Sequence, residues 1–176
     1  MFIASGLGVS PWTVLAQGIS VQLGWSVGFA TFVVSVSVLL LWIPLKEVPG
    51  FGTLSNAVLV AVAIDVMTPL LTIPDGSAIR YLQLVVGVML IGAGSGLYLT
   101  ANLGPGPRDG LMTGLQRLTA RPIGWVRAGL ELTVLCVGWL LGGTVGLGTV
   151  VFALGVGYAV ALSLSVVKQF GRGQAS

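Results

Sequence analysis

Residues 104–110 read Gly-Pro-Gly-Pro-Arg-Asp-Gly, and this run interrupts an otherwise apolar sequence. Glycine and proline weaken regular helices, because glycine costs backbone entropy and proline lacks an N–H donor. The run therefore predicts a break between helices, and Arg108 with Asp109 places a charge pair inside that break. A plainer stretch at residues 8–13, Gly-Val-Ser-Pro-Trp-Thr, has a similar pattern.

The composition is that of an integral membrane protein. Charged residues make up 7% of the 176 residues, hydrophobic residues make up 55%, and the mean hydropathy is +1.02. A soluble domain carries roughly 25% charged residues, because its surface faces water. The apolar runs are long and lack the alternation of an outer-membrane barrel, which predicts an all-α protein in a lipid bilayer.

The same composition excludes several classes of function. The net charge of +3 is small and dispersed, so no nucleic acid partner is expected. The chain has no histidine and one cysteine, which argues against zinc, haem and iron–sulfur sites, and no metal or other cofactor is predicted. No serine or cysteine has an evident activating base, so we expect neither catalytic residues nor an enzyme.

Apolar runs predict five transmembrane helices, and the breaks between them add two short helices. The predicted spans cover about 26–44, 53–71, 79–101, 124–141 and 147–167, and the short helices cover about 11–22 and 107–119. The 13 residues of the second short helix reach about 20 Å, against a hydrocarbon core of about 30 Å. The short helices are therefore predicted to re-enter from one side, within a single membrane domain.

The sequence resembles itself at an offset of 96 positions. At this offset Pro11 falls on Pro107, and residues 50–53 fall on residues 146–149. This similarity predicts an internal repeat. Its parts are a first half at 1–73, a linker at 74–78, a second half at 79–170 and a polar tail at 171–176.

The repeat also predicts a missing helix and an orientation. The span at 79–101 has no counterpart in the first half, so we expect either a start site assigned too late or a naturally short protein. A complete half has three spans, and an odd number inserts the two halves in opposite orientations as an inverted repeat. If the short helices crossed the membrane, the repeat would be parallel. The basic residues favour the inverted arrangement, with the C-terminus in the cytoplasm.

The start of the second short helix is the first candidate site. A helix N-terminus directs unpaired N–H groups and the positive end of its dipole towards an anion. Gly106, Arg108 and Asp109 are therefore predicted to bind a substrate. Ser10 and Trp12 join them because they occupy the positions equivalent to Gly106 and Arg108 in the first half. The alternative is that Asp109 caps its own helix and Arg108 pairs with it.

Three charged residues inside predicted spans complete the candidate set. Arg127 and Glu131 lie four positions apart on one helix face, where they form either part of the substrate site or a structural ion pair. Asp65 has no basic residue within a helical turn. It either meets an arginine of the other half, faces a cavity or is neutral.

Five stretches of the chain resemble the YczE branch of the YczE/YyaS/YitT bacterial membrane proteins, namely residues 6–12, 49–53, 96–98, 104–112 and 139–143. The glycine–proline–arginine–aspartate run is the most specific of them. Thr13 stands where the family's first motif has aspartate, and the family's first transmembrane helix is missing here. The resemblance implies a protein of the bacterial cytoplasmic (inner) membrane, for which transport has been supposed.

Two functions fit these features. The first is a small-molecule or ion transporter or exporter, with its site near the N-termini of the half-helices. It predicts a hydrated cavity that touches Gly106, Arg108 and Asp109. The second is a scaffold or accessory subunit whose glycine-rich helices dock on a partner membrane protein, since glycines spaced like Gly92 and Gly96 let helices approach closely. A homodimer is compatible with both.

Overall fold

The computed structural model describes residues 7–71, 76–101 and 103–172, and in this part of the chain all regular structure is helical. The helices are α1 (Pro11–Leu23), α2 (Val27–Leu45), α3 (Phe51–Met67), α4 (Ser77–Thr100), α5 (Pro107–Thr119), α6 (Ile123–Leu140) and α7 (Leu147–Arg172). The predicted all-α class is confirmed. Residues 1–6, the first two residues of the predicted linker and the last four residues of the predicted tail lie outside the described residues.

Within the described residues, four helices are long and apolar enough to cross a membrane, namely α2, α4, α6 and α7. Helix α3 is apolar but has only 17 residues. Helices α1 and α5 have 13 residues each; α5 has its predicted bounds, and α1 ends one residue later than predicted. The chain is therefore a multi-pass helical membrane protein.

Helix α3 is shifted from its predicted bounds of 53–71. It begins at Phe51 and ends at Met67, and residues 68–71 form turns. Pro69 explains the early end, because it has no N–H to donate to the next helical hydrogen bond. Helix α7 is longer than predicted and continues to Arg172.

The first of two compact units comprises Met1–Ser10, Leu71–Asn102 and Gly146–Ser176, and its core is the contact between α4 and α7. Gly92 packs directly against Ala159, and Gly96 packs against Ser163. Both contacts leave no room for a side chain, which confirms the predicted close approach of small residues. Gly94 faces open space instead.

The second unit comprises Pro11–Leu70 and Leu103–Val145 and contains α1, α2, α3, α5 and α6. Helix α2 packs against α1, α3 and α5. The buried core side chains come from three helices: Trp12, Val34, Val38, Trp42 and Leu111. Gly138 of α6 lies against the backbone of Leu15 in α1, so these two helices also approach closely.

A backbone hook in the second unit holds the chain that leads into α5. The N–H of Gly52, at the start of α3, donates to the carbonyl of Leu103 (2.9 Å). The buried Thr53 hydroxyl accepts from the N–H of Gly50 (3.2 Å) and donates to the carbonyl of Pro105 (2.7 Å). The first turn of α3 therefore positions the start of α5.

The first unit contains a hook with the same pattern. The N–H of Gly148, at the start of α7, donates to the carbonyl of Leu7 (2.7 Å). The hydroxyl of Thr149 accepts from the N–H of Gly146 (3.3 Å). Every residue of this hook lies 96 positions from its counterpart in the other hook. The pairs are Gly146 and Gly50, Gly148 and Gly52, Thr149 and Thr53, and Leu7 and Leu103.

A glycine in left-handed backbone allows each hook to close. Gly8 has φ +104° and Gly104 has φ +108°, values that other residues rarely adopt. A Cβ at Gly8 would lie 2.6 Å from the nitrogen of Gly146, and one at Gly104 would lie 3.0 Å from the Cα of Gly50. Glycine is therefore required at both turns for two reasons, backbone conformation and space.

Candidate functional site

The start of α5 lies against the indole of Trp42 in α2. Pro107 occupies the first helical turn, where its missing N–H costs nothing. Its carbonyl accepts a hydrogen bond from Trp42 Nε1 (3.0 Å). Gly110 lies one turn later, with its Cα against the same indole ring, and Trp42 is 1% exposed. Helix α5 is thus fixed on a buried aromatic surface.

Arg108 lies over the other buried tryptophan of this region. Its guanidinium carbon is 5.2 Å from the ring centroid of Trp12 in α1, which is cation–π geometry. Trp12 is 5% exposed, and its Nε1 has no hydrogen-bond partner among the described residues. A buried donor without an acceptor is uncommon, because it costs about 1–3 kcal/mol.

Three more charged residues are linked to Arg108, two directly and one through Glu131. The carboxylates of Asp109 and Glu131 both act electrostatically on its guanidinium. Glu131 also accepts from Nε of Arg127 (2.9 Å), which confirms the predicted pair on α6. We call Trp12, Arg108, Asp109, Arg127 and Glu131 the Arg108 cluster. Its two arginines balance its two carboxylates, so the cluster is electrically neutral.

The Arg108 cluster unites most of the residues that the sequence singles out. Gly106 immediately precedes α5 and is buried. Arg108 is half-buried, and Asp109 lies in the first turn of α5 and is exposed. Ser10 belongs to the first unit, where it is buried, and Asp65 lies at another place in the second unit.

Comparison with known proteins decides the family. A family model described as "Family of unknown function (DUF6198)" matches residues 1–164. The chain belongs to the DUF6198 family. No solved structure matches it.

Relatives of this DUF6198 chain occur in bacteria. An uncharacterized protein of Haemophilus influenzae is 43% identical over 169 residues, which cover 96% of this chain and 78% of the relative. The uncharacterized membrane protein YczE of Bacillus subtilis is 37% identical over 90% of this chain and 74% of its own length. The uncharacterized protein YyaS of the same organism is 29% identical over 84% of this chain and 75% of its own length. The predicted kinship with YczE and YyaS is confirmed.

Asp65 of the DUF6198 chain caps the neighbouring helix α2. Its carboxylate accepts from the N–H of Gly28 (2.7 Å) and from the hydroxyl of Ser26 (2.6 Å), the N-cap residue of α2. A negative charge stabilises a helix N-terminus, since it meets unpaired N–H groups and the positive end of the dipole. This capping role was not among the outcomes expected for Asp65. Its partners are a backbone N–H and a serine hydroxyl at the start of α2.

Two residues that hold the site in place could not be identified from the sequence. Trp42 sits in the apolar span α2, where a tryptophan gives no sign that it faces α5 rather than lipid. Thr53 gives a weak signal, because it and Thr149 are both in the matched Gly-x-Gly-Thr stretches at the 96-residue offset. Only the fold shows that its hydroxyl reaches Pro105.

Two cavities of the DUF6198 chain lie away from the Arg108 cluster. One is an open depression of about 540 Å³ at the end of α5, and the other is an apolar groove of about 260 Å³ between α4 and α7. Neither is lined by Gly106, Arg108 or Asp109, the residues at which the sequence predicts a hydrated cavity.

Proposed function

We propose that this protein is a small-molecule membrane transporter or exporter whose substrate binds at the Arg108 cluster. The observation that carries the proposal is the buried Nε1 of Trp12, which lacks an acceptor among the described residues and lies beneath Arg108. A substrate oxygen would supply the acceptor that the indole lacks. The guanidinium adds a charged donor at the same place.

The chemistry of the cluster defines the class of substrate. Arg108 and the Trp12 N–H suit an acceptor such as a carboxylate or carbonyl oxygen. Asp109 is exposed and carries the opposite charge. Because the cluster is neutral overall, it suits a small polar molecule better than a multiply charged ion.

We infer that α1 and α5 are re-entrant half-helices of an inverted repeat. Their length of 13 residues corresponds to about 20 Å, which is too short to cross a hydrocarbon core of about 30 Å. The two hooks, with equivalent hydrogen bonds 96 positions apart, support the duplication. The inner membrane is the expected location, with the C-terminus in the cytoplasm.

A scaffold or accessory subunit is the second candidate function. One observation favours it: only 11% of the apolar span of α6 is buried within the chain. Gly124 and Gly129 of this helix face open space, which would let a partner helix approach closely. This function predicts a membrane protein that co-purifies and a role that survives changes at Arg108.

Metabolite profiling of cells and medium distinguishes the two functions. Cells with and without the gene are compared, and the deletion is complemented with wild type, Arg108→Gln, Trp12→Phe or Arg80→Gln. A transporter changes the distribution of at least one small polar metabolite between cells and medium. Wild type and Arg80→Gln restore that distribution, because Arg80 belongs to α4 of the other unit. Arg108→Gln and Trp12→Phe fail to restore it, since the first removes the charged donor and the second removes the indole N–H.

Two results would contradict the transport proposal. One is an identical metabolite distribution with and without the gene. The other is full complementation by Arg108→Gln together with Trp12→Phe. Protein amounts in the membrane fraction serve as the control for expression.

A further inference from the structure

The open depression of about 540 Å³ at the end of α5 has a basic lining. It lies between the second half of α5 and Pro122, the residue immediately before α6. Its lining contains two arginines, two neutral polar residues and no acidic residue: Thr113, Gln116, Arg117, Ala120, Arg121 and Pro122. The lining therefore carries two positive charges.

Arg117 is held by two acceptors at and just after the end of α2, and two of its three guanidinium nitrogens make no hydrogen bond in the described part of the chain. Its Nη2 donates to the carbonyl of Leu45 (2.8 Å) and to Oε1 of Glu47 (2.8 Å). Nε and Nη1 have no partner in the described part of the chain, and the side chain is 61% exposed. The guanidinium is thus held in place while part of its fork remains available.

Arg121 has no counter-charge of its own. It is exposed, and it makes no ion pair or hydrogen bond with residues 7–71, 76–101 or 103–172. Glu47 offsets the charge of Arg117, so one positive charge of the depression remains unbalanced. An anion from outside the chain would balance it.

We propose that this depression binds the phosphate group of an anionic phospholipid. An arginine fork matches the oxygens of a phosphate, and two arginines at one depression supply several charge-assisted donors. Basic pockets at the ends of membrane helices are suited to anionic headgroups.

Neighbouring apolar side chains favour a lipid over a free phosphate ion. Leu118 is 72% exposed and Trp125 is 76% exposed, and each lies within four positions of a lining arginine. Tryptophan at a helix end is typical of the headgroup level of a bilayer. An acyl chain would cover such side chains, whereas an inorganic ion would leave them bare. This inference does not depend on the transport proposal.

Native mass spectrometry of the purified full-length protein tests the site. The protein is titrated in detergent with phosphatidylglycerol, which is anionic, and with phosphatidylcholine, which has no net charge. We expect Arg121→Gln to bind phosphatidylglycerol about fivefold more weakly than wild type, since one charge near an anionic headgroup is lost. Arg80→Gln is the matched control and binds as wild type does. Arg121→Lys keeps the charge and retains intermediate binding.

Three results would overturn the proposal. Equal phosphatidylglycerol binding by wild type and Arg121→Gln removes the site. An equal loss of phosphatidylcholine binding shows that headgroup charge is not recognised. Complete displacement of phosphatidylglycerol by inorganic phosphate assigns the depression to the free ion instead of a lipid.

Discussion

Gly110→Ala is expected to destabilise the protein by about 1–3 kcal/mol, although alanine is the better helix former. The added methyl group would overlap the ring of Trp42, which is 1% exposed and has no space to retreat into. The same ring is held by its hydrogen bond to the carbonyl of Pro107. The helix-propensity gain of about 1 kcal/mol is smaller than the cost of overpacking, so the steric effect dominates.

Gly129→Ala is the matched control for this prediction. Gly129 lies inside α6, and nothing lies within 4 Å of the position of an added Cβ. Here only the helix propensity acts, so the change is expected to be neutral or slightly stabilising. Thermal unfolding of the two variants in one detergent, followed by size exclusion, provides the comparison. Equal midpoints for Gly110→Ala and Gly129→Ala would show that α5 is not packed on Trp42 as described.

Thr53→Val is expected to cost about 2–4 kcal/mol, at the upper end of single substitutions. Valine keeps the shape of the side chain but removes the hydroxyl, which accepts from the N–H of Gly50 and donates to the carbonyl of Pro105. Both backbone groups would then be left unpaired beside a fully buried side chain. Because Pro105 leads into α5, the Arg108 cluster should lose its position as well.

Thr53→Ser separates the hydrogen bonds from the packing. Serine retains the hydroxyl and loses one methyl group, so its cost should stay near 1 kcal/mol. The measurement is the same thermal unfolding, together with hydrogen exchange at the amides of Gly106, Arg108, Asp109 and Gly110. If Thr53→Val and Thr53→Ser unfold at the same temperature, the hook does not depend on the hydroxyl.

Local patterns were enough to predict the helices and the contacts along one helix. Pro107 sets the start of α5, and the spacing of Arg127 and Glu131 gives the ion pair on α6. Gly92 and Gly96, four positions apart, mark the face of α4 that meets α7. In each case the interacting groups lie on one helix or follow its period, so the sequence contains the geometry.

Contacts between distant parts of the chain could not be predicted in this way. Asp65 finds its partner at the start of α2, and Trp42 finds its partner at the start of α5. Such pairs depend on which helices become neighbours, and no period in a single sequence encodes this. The early end of α3 is different, because Pro69 gave a local signal that the apolar run around it outweighed.

Three separate contacts define the position of the Arg108 cluster. The hook from Thr53 holds the approach to α5, the indole of Trp42 holds its first turn, and the indole of Trp12 lies under Arg108. A binding group that is held by packing and hydrogen bonds needs little reorganisation when a ligand arrives. The transport proposal therefore requires that water and solutes reach this rigid start of α5.

Water access at position 109 tests that requirement most directly. The exposed Cys136 is replaced by serine, and Asp109→Cys is introduced into this background in native membrane vesicles. A charged, membrane-impermeant methanethiosulfonate is the probe, and Leu132→Cys on the apolar surface of α6 is the reference. Because the thiolate is the reacting form and needs a polar environment, position 109 should react about tenfold faster or more than position 132. Equally slow reaction at the two positions would contradict a substrate pathway at the Arg108 cluster.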